Sequence, residues 1–321
     1  MKKCFIIVLL AVVSSILFAG EPAILPDVFN PGRLTTHDKY IYIVEGYTVK
    51  IYSAADFKFI KEFGGKGEGP GEFASHRFSG GIRINICDNN YLYAKDPGSG
   101  RVTVFDLNGK YITDHKTYFR YSFNPEADKA GNLYVPSING GVIDIFDKKM
   151  TLTGVLLDDK ALLEFLYYEP GSTVKEFLTQ PFKDNFKFSL LNNDMLIIYI
   201  FHSSTVYLLQ NRKLKKKFYI WPEKEMEPYK KHLHEVYKQG DDMYVNFAVN
   251  FFIDEDDKQF FYLQFGLDKV NRIIPVYKFD LSGQLKQIYY VRHKEGNILS
   301  FEYKRNNIFY GVVDGSVFLY R

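Results

Sequence analysis

A short pattern recurs along this chain and restricts the fold more than any other feature: a turn rich in Asp, Asn or Gly, followed by a few apolar and aromatic residues. Copies begin at Lys39, Asn90, Asn132, Asp194, Lys258 and Asn307. After a loop, each is followed by a second run ending in an apolar or aromatic pair, such as Val49 to Tyr52, Val102 to Phe105, Val206 to Leu209 and Val317 to Tyr320. β-Branched and aromatic runs separated by turn residues read as hairpins. A third strand follows across turns such as Leu107-Asn108-Gly109-Lys110 and Leu281-Ser282-Gly283-Gln284, and a fourth precedes each hairpin. A tandem array of four-stranded antiparallel units predicts an all-β chain folded as a six-bladed β-propeller.

The stretch Gly64-Gly65-Lys66-Gly67-Glu68-Gly69-Pro70-Gly71-Glu72-Phe73 lies between the first two units. Its glycines and proline exclude helix and strand, so it reads as the crossing from one blade to the next. A phosphate-binding loop is excluded, because Gly67 rather than Ser or Thr follows Gly65-Lys66 and no helix pattern comes after it. This stretch resembles the inter-blade signature of the NHL-like six-bladed propellers of exported bacterial proteins. Val102-Thr103-Val104-Phe105-Asp106-Leu107-Asn108-Gly109-Lys110 resembles their third strand and turn. The resemblance covers the first three units well and the later ones loosely, and it implies a fold rather than an activity.

Met1-Lys2-Lys3, the apolar run from Cys4 to Phe18 and the small residues Ala19 and Gly20 read as a signal peptide over residues 1–20, the alternative being an uncleaved N-terminal anchor. The run is shorter than a membrane span, and no later segment is long and apolar enough to cross a bilayer. Residues 21–321 are expected to form one propeller domain, with residues 21–29 supplying the outer strand that the last unit lacks. Export places the protein in the periplasm or outside the cell. Of 41 basic residues the leader holds Lys2 and Lys3, so 39 remain against 38 acidic ones. That balance offers nothing to nucleic acid. Cys4 leaves with the leader, so Cys87 has no internal disulfide partner and reads as a small buried residue.

If each unit's first strand lines the channel, the connections sort by face. Those between strands one and two, and three and four, are short and turn-like. The long ones lie on the other face: the glycine stretch, 158–184, 220–243, 266–272 and 292–297. Loops held by a rigid scaffold commonly carry function, so this face is expected to be the working surface. Within 220–243, Met226, Tyr229, Leu233, Val236 and Tyr237 recur at helical spacing and Gly240 suits a helix end, predicting a short helical insertion between the fourth and fifth blades.

The same face collects His76, His115, His202, His232, His234 and His293, with Arg77, Arg120, Arg272 and Arg292. Candidate ligand-binding residues are His76, Arg77, Arg120, His202, Arg272, Arg292 and His293, groups suited to an anionic ligand. His76, His202 and His293 are weaker candidates for a metal, Zn or Ca; no cofactor is expected. His232-Leu233-His234 has the wrong spacing for a helical zinc pair. Asp254-Glu255-Asp256-Asp257 begins like a calcium loop, but Gln259 and Phe265 stand where Gly and Glu are needed. Arg212 to Lys217 reads as a solvated outer strand. The expectation is a monomeric exported binding or scaffold module recognising a protein, glycan or small anion at the insert-bearing face. The alternative is a metal-dependent propeller lyase or hydrolase with its site at the channel mouth. An enzyme is the less favoured of the two, since the chain holds no Gly-x-Ser-x-Gly elbow.

Overall fold

The alternating apolar runs form strands throughout the computed structural model. It describes residues 15–23, 25, 28–29, 31–74, 81–87, 89–116, 124–136, 143–156, 186–192, 195–200, 205–220, 250–253, 257–264, 273–292, 298–304, 308–313 and 316–320. Every regular element among them is a β-strand.

After β1 (Ser15–Ala23), the first sheet contains β2 (Pro31–His37), β3 (Tyr40–Glu45), β4 (Thr48–Ser53) and β5 (Phe59–Gly64). The second contains β6 (Arg83–Ile86), β7 (Tyr91–Asp96), β8 (Arg101–Asp106) and β9 (Tyr111–Lys116). The third contains β10 (Glu126–Ala127), β11 (Leu133–Pro136), β12 (Ile143–Phe146) and β13 (Leu152–Leu156). The fourth contains β14 (Phe186–Asn192), β15 (Met195–Ile200), β16 (Thr205–Gln210) and β17 (Lys213–Tyr219). These four are simple antiparallel meanders.

The remainder forms one sheet of eight strands. β18 (Asn250–Ile253), β19 (Phe260–Gln264), β20 (Ile273–Asp280) and β21 (Leu285–Arg292) lie on one side of β1; β22 (Ile298–Lys304), β23 (Ile308–Val313) and β24 (Ser316–Tyr320) lie on the other. Residues 15–19, which fall within the stretch expected to be the leader, pair in parallel with β21, and residues 20–23 pair antiparallel with β24, so the strand beside β24 begins earlier than the expected 21–29. The expected six-bladed ring is therefore corrected: hydrogen bonding divides the strands into five sheets, because β1 joins the last two expected units edge to edge. The fifth blade is double width. The expected helical insertion is not seen either; no helix occurs among the described residues, and 221–249 lies outside them. No helix of the described residues is long and apolar enough to cross a membrane.

The inner strands meet around the hub. β2 touches β6 and β22, β10 touches β14, and β18 touches β14 and β22. The double-width sheet thus folds back so that both of its ends reach the centre. Between β6 and β10 the Asn85 side-chain amide donates to the Pro125 carbonyl (3.0 Å), as does the Cys87 thiol (3.6 Å). Cys87 is buried, consistent with a packing role.

Apolar side chains fill the space between neighbouring sheets. Val44, Val49 and Ile51 of the first pack with Ile84, Leu92 and Phe105 of the second. Ile145 and Leu156 of the third meet Leu190 and Leu196 of the fourth. Phe251, Phe261 and Phe279 meet Tyr199 and Leu208.

One turn design recurs. Asp106 Oδ1 accepts the backbone N–H groups of Asn108 (2.8 Å) and Lys110 (2.9 Å). Asp147 does the same for Lys149 and Thr151, and Asp280 for Ser282 and Gln284. These carboxylates hold the reversal into the outer strand. Beyond the turn, β5, β9, β13, β17 and β21 each carry a β-bulge at the corresponding register against the preceding strand, leaving Ile60, Ile112, Thr153, Lys215 and Lys286 without a register partner there. A bulge increases twist and discourages edge-to-edge association.

The turns also lock neighbouring sheets. Gly109 has φ +76° and lies against the Phe63 ring of the preceding sheet; Gly283 has φ +87° and lies against Phe218. A Cβ at Gly109 would enter the Phe63 ring and would be strained by the positive φ. Gly109→Ala is expected to cost about 1–3 kcal/mol, read as a lower urea midpoint at unchanged m-value. An unaltered midpoint would show that the ring moves aside freely.

Candidate functional site

On the face with the long connections, the described chemistry centres on the end of β7. Its last two residues, Lys95 and Asp96, are both fully buried. Asp-Pro-Gly-Ser after a strand favours a side-chain-bonded turn, and Asp96 Oδ1 accepts the Gly98 N–H at 3.0 Å while Oδ2 accepts the Ser99 hydroxyl at 2.7 Å. Oδ2 also accepts the Ala74 N–H at 2.7 Å. One carboxylate thus ties a loop of the second sheet to the end of the crossing from the first.

The crossing has its own internal anion. Gly69 N–H donates to Glu72 Oε2 at 2.8 Å, and a Cβ added at Gly67 would meet that carboxylate and force it to shift. Glycine serves here to let the backbone wrap a side chain of this chain, not an external phosphate. Phe73 is fully buried beside Phe105, with ring centroids 6.0 Å apart. Arg101 donates to the Glu72 carbonyl (3.4 Å) and pairs with Asp114 (3.5 Å).

Burial pushes the Lys95 ammonium down to about 8, against the opposing pull of Asp96. His115, partly buried at the end of β9, is also lowered by burial, with Asp114 opposing. Both imbalances share one cause: the charged forms lose more hydration than neighbouring carboxylates restore.

The candidates chosen from sequence are not brought together by the described residues. His76, Arg77, Arg120, His202, Arg272 and His293 lie outside them, as do His232, His234 and Asp254 to Asp256. Arg292 ends β21, where its backbone pairs with Ile273 and Ala19. Among the described residues no cluster of three or more His, Cys, Asp or Glu side chains has the arrangement of a metal site. Asp257 accepts the Gln259 N–H in an ordinary turn. Of the Arg212 to Lys217 run, Arg212 lies in the turn and Lys213 to Lys217 form the exposed start of the edge strand β17, with Lys216 donating to the Ser282 carbonyl and Lys217 lying over Tyr207 and Tyr219.

A cavity of about 250 Å³ opens between the third and fourth sheets. Its polar end is built by the turns of the opposite, short-turn face: Asp128 after β10, and Asn211 and Arg212 between β16 and β17. Tyr134 of β11 donates to Asp128 Oδ2 at 3.5 Å, and the Asn132 backbone and side-chain amides donate to the same carboxylate at 2.9 and 2.7 Å. The Tyr134 hydroxyl is raised by burial and by Asp128, while Arg212 acts against that shift. Leu156, Leu190, Leu196 and Leu209 line the remainder. Sequence reasoning passed over this cavity because its parts lie in two repeats. The available signals were Asn211-Arg212, where a two-residue hairpin turn normally has Gly second, and Gly154 within a strand.

No protein-family model matches the sequence, and no curated protein matches it. Solved structures do match. A protein from Bacteroides fragilis described as exported is 12% identical, with a TM-score of 0.54, over 96% of this chain and 99% of that one. A streptogramin B lyase is 9% identical, with a TM-score of 0.53, over 95% and 97%. The WD40 repeats of RRP9 are 9% identical, with a TM-score of 0.52, over 94% and 96%. At such identities the shared property is the fold, and the chain is an all-β propeller.

Proposed function

We propose that the protein is exported and acts as a binding or scaffold module, recognising its ligand on the face that carries the long connections. The observation that carries this reading is the asymmetry of connection length. On one face the links are tight turns, such as 38–39, 107–110 and 211–212; on the other they include 65–82, 157–185, 220–249 and 265–272. A rigid ring with variable segments on one side is the arrangement by which scaffolds present recognition loops. In sequence, His76, Arg77, Arg120, His202, Arg272, Arg292 and His293 fall in or beside connections of that kind, which favours an anionic glycan, small anion or acidic protein surface. The exported Bacteroides fragilis neighbour supports the compartment.

The test is co-sedimentation with isolated anionic envelope glycan. Binding is expected, and the combined variant Arg77→Ala, Arg120→Ala, Arg272→Ala is expected to lose it without a change in thermal melting. Binding that survives the triple variant counts against this face. The second reading, a metal-dependent lyase or hydrolase, is favoured by the shared fold with a streptogramin B lyase. It requires stoichiometric Zn or Ca in purified protein, lost on changing His76, His202 and His293 to Ala.

A further inference from the structure

We propose that the cavity between the third and fourth sheets is a second binding site, taking a small zwitterion with an apolar tail, the class of the free aliphatic α-amino acids. It lies on the face opposite the proposed recognition surface and does not depend on that reading.

The backbone around Arg212 carries the first part of the argument. Asn211 has φ +51° and Arg212 has φ +64°, so this two-residue hairpin turn is of the type that favours glycine at its second position. A long side chain there is strained, as it is at Phe57 (φ +58°) and Met150 (φ +61°) in the corresponding turns of other sheets, so the assignment rests on what the Arg212 side chain meets. In the third sheet, Gly154 lies within β13, and a Cβ there would approach Arg212 Nη1 to 3.3 Å. Two locally unfavourable choices in different sheets therefore act together: one projects a guanidinium across the blade boundary, and the other leaves room for it.

The chemistry of the lining identifies the ligand. Arg212 supplies a cation suited to a carboxylate, and Asp128 supplies an anion suited to an ammonium. Asp128 is buried, and its hydrogen bonds from Asn132 and Tyr134 hold it in place. Charges of both signs at one end match a zwitterion better than a simple anion, which Asp128 would repel. Leu156, Leu190, Leu196 and Leu209 match an aliphatic tail. A volume of about 250 Å³ is below the usual range for drug-sized ligands, which limits the occupant to a small molecule.

Calorimetric titration of the purified full-length protein with L-leucine tests the proposal. Saturable binding up to millimolar ligand is expected. Glycine, which lacks the tail, isocaproate, which lacks the ammonium, and isoamylamine, which lacks the carboxylate, are each expected to bind at least about tenfold more weakly. Arg212→Gly separates function from folding, because glycine suits the turn: its melting temperature should be equal or higher while leucine binding falls at least about tenfold. Absence of leucine binding, equal binding of isocaproate, or unchanged binding by Arg212→Gly would each overturn the proposal.

Discussion

Asp96→Ala is expected to destabilise the protein by about 3–5 kcal/mol, seen as a large drop in the urea midpoint. The carboxylate is fully buried and accepts from Ala74 N–H, Gly98 N–H and the Ser99 hydroxyl. Truncation removes the acceptor shared by three donors, of which Ala74 and Ser99 are half-buried and Gly98 is exposed, and it withdraws the neighbouring negative charge from buried Lys95. Each term is worth about 1–3 kcal/mol alone, and they compound because the same oxygens serve all the partners. The loss should be localised as well as large. The Ala74 amide, at the end of the crossing, is expected to lose hydrogen-exchange protection before amides in the third and fourth sheets do. Asp96→Asn keeps the shape and one oxygen but turns an NH₂ towards existing donors, so it should lie between wild type and alanine. A midpoint shift below about 1 kcal/mol for Asp96→Ala would mean that the aromatic contacts of Phe73 hold the crossing alone.

The strands, the turn residues and the crossing were legible in the sequence because each is decided by neighbours along the chain. Asp106-Leu107-Asn108-Gly109 and Asp280-Leu281-Ser282-Gly283 contain their own hydrogen-bond acceptors and a residue that tolerates positive φ. Phe73 could be assigned to the crossing because an aromatic residue ending a glycine run has few other uses. The sheet count was not legible, since it depends on how β1 pairs with two strands far away in sequence. Local periodicity says that an edge exists but not what covers it. The recurrent bulge was hidden for a different reason: Ile60, Ile112, Thr153, Lys215 and Lys286 share a position and no side-chain character. The site was the least legible part. Nothing next to Asp96 in the sequence marks its role, which comes from Ala74, twenty-two positions away. The cavity similarly needs Gly154 and Arg212 from different repeats.

Lys95→Met is expected to do the opposite of Asp96→Ala and stabilise the protein near pH 7, by about 1–3 kcal/mol. In the folded protein the ammonium titrates at about 8, against 10.5 for an ordinary lysine. Below pH 8 both folded and unfolded chains hold the proton, and the full cost of burying the charge is present. Between pH 8 and 10.5 the unfolded chain holds the proton and the folded one has lost it, so stability rises with pH through that window. Methionine fills the same space without a charge, so its contribution is flat. Tyr42 and Tyr93, both raised to about 12 chiefly by burial, work in the reverse direction above pH 10. The quantity to measure is therefore the difference between variant and wild type, in which the tyrosines cancel. It should be largest at pH 7 and shrink towards zero by pH 10. A difference that does not vary with pH would show that Lys95 keeps its proton when buried. The opposite signs expected for adjacent residues follow from their partners. Asp96 has three hydrogen-bond donors that hold it when Lys95 is replaced, whereas Lys95 loses the charge that most favours its protonated form when Asp96 is replaced. In the double variant Lys95→Met, Asp96→Ala, the cost of losing Asp96 should accordingly fall by the part that came from removing its charge beside the ammonium, and a double-mutant cycle measures that part directly.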